Sequence, residues 1–573
     1  MPIHNSDVAN IFNQVADLLD IEGANIFRIR AYRDAARTVK GLSKRVEDMV
    51  KEKEDLQELP GIGKDLAKKI EEIVETGSLE FLEEIKKRTN PELAKMLSIS
   101  GLGPKKVSKI NKELEVENLE QLQEAAEKHK IQELEGFGKK SEEKILKALK
   151  TKKEEAPRSK LISAEEIAEP LFEYLEDDEN VDKIAFAGSY RRHKETVGDL
   201  DILVTSENPK EVMEHFTSYE DVENIQAKGK TKSTVILRSG FQVDLRVVEK
   251  ESYGAALLYF TGSKAHNIKL RNLALDIDLK INEYGVFKND DDKIAGKTEE
   301  EIYDIFDMPY IEPELREDRG EVEAAREGNL PDLITPDDIK GDLQAHSTHS
   351  DGRNSLQEMV KAAKERGYEY FAITDHSQSV RVANGLDEKR LGKEIDEIDK
   401  MNEKIDGIQI LKSCEVDILK DGSLDLDDSI LKELDFVLCA IHSYFDLSAE
   451  DQTRRILKAM DNKYFNILAH PTGRKIGERK PYDFDMEKIM EAAKERNCIL
   501  EIDAHPVRLD INDHYAKMSK DMGVKISIST DAHAKNELAY MKYGVWQARR
   551  GWLEKDDVIN TRKWKELEKI FKR

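Results

Sequence analysis

Seven short apolar segments toward the end of the chain do most to limit what it can fold into: GDLQAHS, YFAITDHS, IQILKSCEVDI, FVLCAIHS, FNILAHPTG, CILEIDAHP and VKISISTDAH. Each has the length of a buried strand, and nearly every one delivers a histidine, aspartate or glutamate at or near its C-terminal end. Helical stretches such as SLQEMVKAAKERG separate them. A β/α barrel assembles its site in this way, from strand ends on one face. Eight of the 13 histidines fall in this region: His346, His349, His376, His442, His470, His505, His514 and His533. Mixed imidazole and carboxylate donors suit zinc, manganese or iron, and so many of them predict two or three ions serving phosphoester hydrolysis.

At 573 residues the chain exceeds what one hydrophobic core can organise, so the barrel is one domain among several. Two stretches read as breaks: the polar TKKEEAPRSK at 151–160, and 318–337, which holds two prolines and little apolar content. Three cysteines without a C-x-x-C pair indicate neither a disulfide framework nor a thiolate zinc site and fit a reducing cytoplasm. No apolar run approaches the length of a membrane span, and the N-terminus lacks a basic, apolar leader. The net charge of −25 argues against nucleic acid until its distribution is considered. Residues 1–150 carry 29 acidic and 27 basic side chains, so contact with DNA is expected toward the front.

Three loops in that front region share one theme: LPGIGKDLAKKI, ISGLGPKKVSKI and LEGFGKKSEEKI. In each, two glycines flank an apolar residue and a lysine-bearing helix follows. Such a hairpin presents backbone N–H groups at a helix N-terminus, where a phosphate can be held. This is the helix-hairpin-helix pattern. Gly61, Gly63 and Lys64 of the first loop, and Gly101, Gly103 and Lys105 of the second, are the candidate DNA contacts.

The middle of the chain reads KIAFAGSYRRHKETVGDLDILV, a strand, a Gly-Ser turn, a basic segment and a second strand carrying Asp199 and Asp201. Alternation places both carboxylates on one face. Asp244, in the strand-like FQVDLRVV, can lie alongside. Three converging carboxylates need divalent cations to offset their repulsion, as in a two-metal phosphoryl-transfer site. Gly188 and Ser189 allow close approach to a triphosphate, and Arg192 supplies charge to it.

With GSYRR, GDLD, VDLR and YFTGSKAHN in this order, the first 317 residues resemble an X-family DNA polymerase of the gap-filling repair type. The last part resembles a polymerase and histidinol phosphatase (PHP) domain, which bacterial and archaeal members of that family carry here. The resemblance implies a multidomain fold: an α-helical DNA-binding, lyase-like domain (1–85), a helix-hairpin-helix, fingers-like domain (86–150), an α+β nucleotidyltransferase palm (161–250), a thumb (251–317), a linker (318–337) and a distorted β/α barrel of about seven strands (338–573). It assigns two Mg²⁺, with Mn²⁺ as an alternative, to Asp199, Asp201 and Asp244. Nucleotide contacts fall to Gly188, Ser189, Arg192, Gly198, Tyr259, Phe260, Gly262 and Asn267, with Arg246 and Arg271 serving closure and template contact. Lys264 and His266 replace residue types common beside the nucleotide in animal members. A Schiff-base lysine for 5′-deoxyribose phosphate removal would be Lys69, near Arg28 and Tyr32, although Asp65 stands where the family has a phosphate-gripping lysine.

In the barrel the resemblance assigns Mn²⁺ or Zn²⁺ to His346, Asp351, His376, Glu415, His442, His470, Asp531 and His533, with His349 at the rim. Gln344 stands where the first histidine is usual and would hold its metal weakly. The expected partners are gapped or nicked duplex DNA and dNTPs, with no membrane and a monomeric protein in the cytoplasm. The expected activity is gap-filling synthesis joined to 3′–5′ exonuclease or 3′-end phosphatase processing. A nucleotidyltransferase with another acceptor, and a non-catalytic DNA-end binder with an inactive barrel, are the competing readings.

Overall fold

The computed structural model describes residues 3, 5–40, 46–59, 61–97, 99, 102–134, 136–154, 158–289 and 292–572. The front is helical and is organised around two apolar clusters, one running from Ile3 to Ile85 and the other dominated by residues from Leu93 to Leu149. Helix α1 (Lys64–Thr76) shows the local logic. Leu66, Ala67, Ile70 and Ile73 fall on one face and are buried, Gly63 caps its start in an extended conformation, and Gly77, at φ 72°, closes its end by donating to the Ile73 carbonyl at 2.8 Å. Helices α2 (Pro104–Leu114) and α3 (Lys139–Glu154) likewise follow the second and third glycine loops.

The middle is built on a five-stranded sheet of β1 (Lys183–Phe186), β2 (Asp199–Thr205), β3 (Val222–Lys228), β4 (Lys232–Leu237) and β5 (Gln242–Val248), in the order β1-β2-β5-β4-β3. Only β2 and β5 run parallel, with Asp201 directly opposite Asp244. Helices α4 (Tyr253–Thr261) and α5 (Lys264–Asp276) follow, then a small three-stranded sheet. The break expected at 151–160 ends inside the fold, because Ser159 and Lys160 pair with Val197 and Thr196. Residues 155–157 lie outside the described ones.

The segment 318–337 is packed structure rather than a linker. It contains helix α6 (Glu321–Arg326), whose Val322 and Ala325 are buried in one cluster with Leu258, Leu270 and Trp552. Glu321 is fully buried and takes a 2.7 Å contact from His266. Few apolar residues suffice here because their neighbours come from both flanking domains.

The barrel strands are β6 (Gly341–Asp342), β7 (Tyr370–Ile373), β8 (Gln409–Lys412), β9 (Glu415–Asp417), β10 (Val437–Ala440), β11 (Phe465–Leu468), β12 (Ile499–Asp503) and β13 (Ile526–Ser529). All pair parallel, in sheets β6-β7-β8 and β9 to β13. The bridges His376 to Glu415 and Ala345 to Ala532 join the two sheets into a ring. Eight strands form where about seven were expected, because IQILKSCEVDI breaks at Ser413 and Cys414 into β8 and β9. That break separates the two sheets and turns Glu415 to the ring's open end. Tyr370, Ala372, Leu438 and Ala440 share one cluster, while Phe371, Ile373, Val437 and Cys439 share another, which is the alternation of a barrel wall. Helix α7 (Met541–Arg550) packs against β12 and β13.

Candidate active sites

The first site lies in a cavity of about 850 Å³ between the central sheet, α4 and α5, and the barrel. Asp199, Asp201 and Asp244 project from one face of β2 and β5. Burial pushes the Asp201 carboxyl up to about 7, and the charges of Asp199 and Asp244 add to it. Such a group is stabilised as an anion by a cation, so the donor set fits divalent metal. Gly188, at φ 63°, has Asp201 beside it: a Cβ there would lie 2.3 Å from Asp201 Oδ2, so only glycine permits the turn.

Gly188, Ser189, Arg192, Tyr259, Phe260, Gly262, Lys264, Asn267 and Arg271 line this cavity. Asn267 Nδ2 donates to the Tyr259 carbonyl at 2.7 Å, and the Arg271 guanidinium stands 5.1 Å from the Tyr259 ring centre. Arg246 packs over the Phe260 ring at 4.1 Å instead of lining the cavity. Gly198 makes room for Arg158, since a Cβ would come within 3.0 Å of Arg158 Nη1. His266 is a correction: it is buried in the cluster below, between Glu321 and the Tyr303 hydroxyl at 3.1 Å, because helix α5 turns it away from the cavity. Sequence reasoning missed Lys232, whose Nζ lies 3.0 Å from Asp244 Oδ2, and Arg158, which lines the cavity. The basic turn KGKTK before β4 was the available signal for Lys232.

The second site crowns the barrel. Around Glu415 lie His470 Nε2 at 2.8 Å, His376 Nδ1 at 3.0 Å, His442 Nε2 at 3.2 Å and His346 Nε2 at 3.4 Å. His346 Nε2 also meets Asp531 Oδ1 at 3.1 Å, while Asp351 Oδ1 stands 3.4 Å from His533 Nε2 and 3.6 Å from His376 Nε2. His376 Nδ1, His442 Nε2 and Glu415 Oε2 are buried without a partner in hydrogen-bond geometry despite this crowding. Lone pairs that converge without a proton between them fit metal ions. Three donor groups emerge: His346, Asp351, His376 and His533; His376, Glu415 and His442; and His346, Glu415 and Asp531. Asp417 braces His442 through Nδ1 at 3.2 Å, an outer contact of the kind that orients metal-binding imidazoles. His349 stays outside, 3.2 Å from Glu397.

Gln344 is fully buried. In the orientation that satisfies its amide, the nitrogen donates to both oxygens of Glu501, at 2.8 Å to Oε2. Glu501 also accepts from the His470 main-chain N–H at 2.8 Å. Burial pushes its carboxyl well above the ordinary range, and Asp531 and Glu415 push it further. Gln344 and Glu501 form a hydrogen-bonded pair that sequence reasoning did not find; Glu501 lies two residues from the end of its strand, where CILEIDAHP offered it beside Asp503.

At the front, Gly61 adopts φ 74° and Gly103 caps α2, with Lys64 and Lys105 exposed at the helix starts. Gly101 lies outside the described residues. Lys69, Arg28 and Tyr32 do converge, all around Phe81: Arg28 is 4.6 Å and Lys69 5.8 Å from its ring centre, and Tyr32 stacks on it at 6.0 Å. Lys69 Nζ is engaged by Asp65 Oδ2 at 2.6 Å.

Comparison with known proteins agrees with this architecture part by part. Residues 3–79 match the helix-hairpin-helix domain, 93–151 the SAM-like helix-hairpin-helix tandem, 156–252 the DNA polymerase beta palm, 256–317 the DNA polymerase beta thumb and 342–514 the PHP domain. The chain belongs to the X-family DNA polymerases that carry a C-terminal PHP domain. It is 40% identical over 574 residues, spanning all of both chains, to the DNA polymerase/3′-5′ exonuclease PolX of Bacillus subtilis strain 168. A probable phosphatase of Thermoanaerobacter sp. strain X514 is 31% identical over 218 residues, 36% of this chain and 84% of that protein. A probable phosphatase of Acetivibrio thermocellus is 30% identical over 193 residues, 32% of this chain and 75% of that protein. Among the described residues, no helix is long and apolar enough to cross a membrane.

Proposed function

We propose that the chain is a DNA-directed DNA polymerase that fills short gaps in DNA repair, and that its barrel removes nucleotides from 3′ ends as a metal-dependent exonuclease. The observation that carries the first part is the meeting of Asp199, Asp201 and Asp244 on one face of β2 and β5, with the Gly188 turn against Asp201 and Arg192 in the wall of the same cavity. Asp199, Asp201 and Asp244 would hold Mg²⁺, which when bound supplies Lewis-acid activation of the primer hydroxyl and offsets charge on the triphosphate. The Gly188–Ser189 turn lets the backbone approach the phosphates, and Arg192 places a guanidinium on them. Tyr259, Phe260, Gly262 and Asn267 shape the wall for sugar and base, and Lys232 orients Asp244.

In the barrel, His346, Asp351, His376, Glu415, His442, His470, Asp531 and His533 would hold Mn²⁺ or Zn²⁺, which supply an activated water for phosphodiester cleavage. Asp417, at His442 Nδ1, orients that imidazole. Substrates are gapped or nicked duplex DNA and dNTPs, gripped in part by the glycine loops at the front, and the enzyme works as a monomer in the cytoplasm. The full-length likeness to a polymerase and exonuclease favours this reading over a nucleotidyltransferase with another acceptor.

The test is extension of a 5′-labelled primer on a one-nucleotide-gapped duplex, first with the complementary dNTP alone and then with Mn²⁺ and no dNTP. Templated addition in the first arm and shortening in the second are expected. Failure of both arms would refute the reading.

A further inference from the structure

The wall of the nucleotide cavity is not made by the polymerase domains alone. Asp513, Gln547 and Arg550 of the barrel domain stand in it, beside Arg192, Lys194 and Arg319. Arg550 is almost wholly buried, 3% exposed. Its Nη1 donates to the main-chain carbonyl of Arg192 at 2.8 Å and to Glu317 Oε1 at 3.1 Å, while Nη2 donates to Asp513 Oδ2 at 2.6 Å. The same Glu317 oxygen accepts from Arg192 Nε at 3.1 Å. Arg192 is therefore gripped twice by Arg550, at its backbone directly and at its side chain through Glu317.

This grip has a rigid base. Helix α7, which carries Arg550, is fastened to the palm by Tyr543 and Lys542 on Glu165 and by Trp546, whose ring stacks on His193 at 4.0 Å. A guanidinium is a planar fork with fixed donor directions, so an arginine anchored on three sides transmits that rigidity to whatever it holds. Arg549, the next residue on the helix, offers a contrast. It too crosses between domains, donating to Glu314 at 2.7 Å and to the Ile334 carbonyl at 3.1 Å, yet it does not reach the cavity.

We propose that Arg550 is a positioning residue for the incoming nucleotide: by holding Glu317 and the Arg192 carbonyl it fixes where the Arg192 guanidinium enters the triphosphate site, making the barrel domain a structural part of the polymerase centre. The inference rests on the reading that Arg192 meets the triphosphate. It assigns the barrel a role in synthesis that is separate from its own metal chemistry.

The experiment measures single-nucleotide incorporation by the full chain against dNTP concentration, with thermal unfolding of each protein, for the wild type, Arg550→Gln, Arg550→Lys and Arg549→Gln. Arg550→Gln is expected to raise the dNTP KM about tenfold, the worth of one charge-assisted hydrogen bond, with kcat within about twofold. Arg550→Lys recovers part of that loss, and Arg549→Gln lowers the unfolding temperature without moving KM. A wild-type KM in Arg550→Gln, or an equal rise in Arg549→Gln, would overturn the proposal. Should Arg550→Gln not fold, Arg550→Lys decides alone: a raised KM supports the proposal and an unchanged one refutes it. Absence of dNTP-dependent extension by the wild type would instead remove the polymerase reading, and this inference with it.

Discussion

Arg191 and Glu299, 108 residues apart in the chain, meet in a two-pronged ion pair, Nη2 to Oε2 at 2.6 Å and Nη1 to Oε1 at 3.0 Å. Glu299 also receives the fully buried Arg316, so one carboxylate ties the Gly-Ser turn of the palm to the thumb. Replacing Glu299 by glutamine leaves two guanidinium groups facing a neutral amide. A loss of about 3 kcal/mol is expected, the usual cost of breaking a buried pair from one side. Urea unfolding of Glu299→Gln would check it, and a change within experimental error would show that the two arginines find water.

The same carboxylate gives a pH dependence. Burial raises the Glu299 carboxyl, but Arg316 and Arg191 outweigh that and hold it down to about 2; His193 and Arg549 do the same for Glu314, also to about 2. Unfolded, both titrate near 4.5. The unfolded chain therefore binds protons first as pH falls, so this contribution is complete above about pH 4.5 and disappears as pH approaches 2. Unfolding temperature followed down that window should fall less steeply for Glu299→Gln and Glu314→Gln than for the wild type; parallel curves would refute the assignment.

At the palm, Asp244→Asn is expected to reduce primer extension by at least about a thousandfold. DNA affinity, read by fluorescence anisotropy on the gapped duplex, should stay within about twofold, because the proposed reading assigns the phosphate contacts to the front of the chain. Loss of both together would place Asp244 in folding or in DNA binding.

For the barrel, His470→Ala should abolish shortening of the primer in Mn²⁺ without dNTP, and chelation should do the same to the wild type. Gln344→His bears on the replaced ligand. If Gln344 serves only to hold Glu501, the bound-metal content measured by elemental analysis rises in Gln344→His, and equal content in both proteins would mean that the imidazole is not what the site lacks.

Lys64 and Lys105 stand exposed behind two glycine hairpins. Changing either to glutamine should weaken binding to all DNA sequences alike and lower the salt-dependence slope by about one. Titrations across salt concentrations would show it, and an unchanged slope would move the DNA path elsewhere.

The parts whose signal is local could be read along the chain. Period-two alternation put Asp199 and Asp201 on one face, repeated glycine pairs announced the helix-hairpin-helix theme, and apolar runs ending in histidine announced the barrel. Each needs only the backbone geometry of one segment. Other features rest on residues whose meaning depends on distant partners: the packing of 318–337, the burial of His266 against Glu321, the pairing of Gln344 with Glu501, and the reach of Arg550 into the cavity beside Arg192. Hydrogen bonds and ion pairs of this kind span tens to hundreds of residues, and no spacing along the chain encodes them. They arise only when separate domains are brought together and each buried polar group must find its partner.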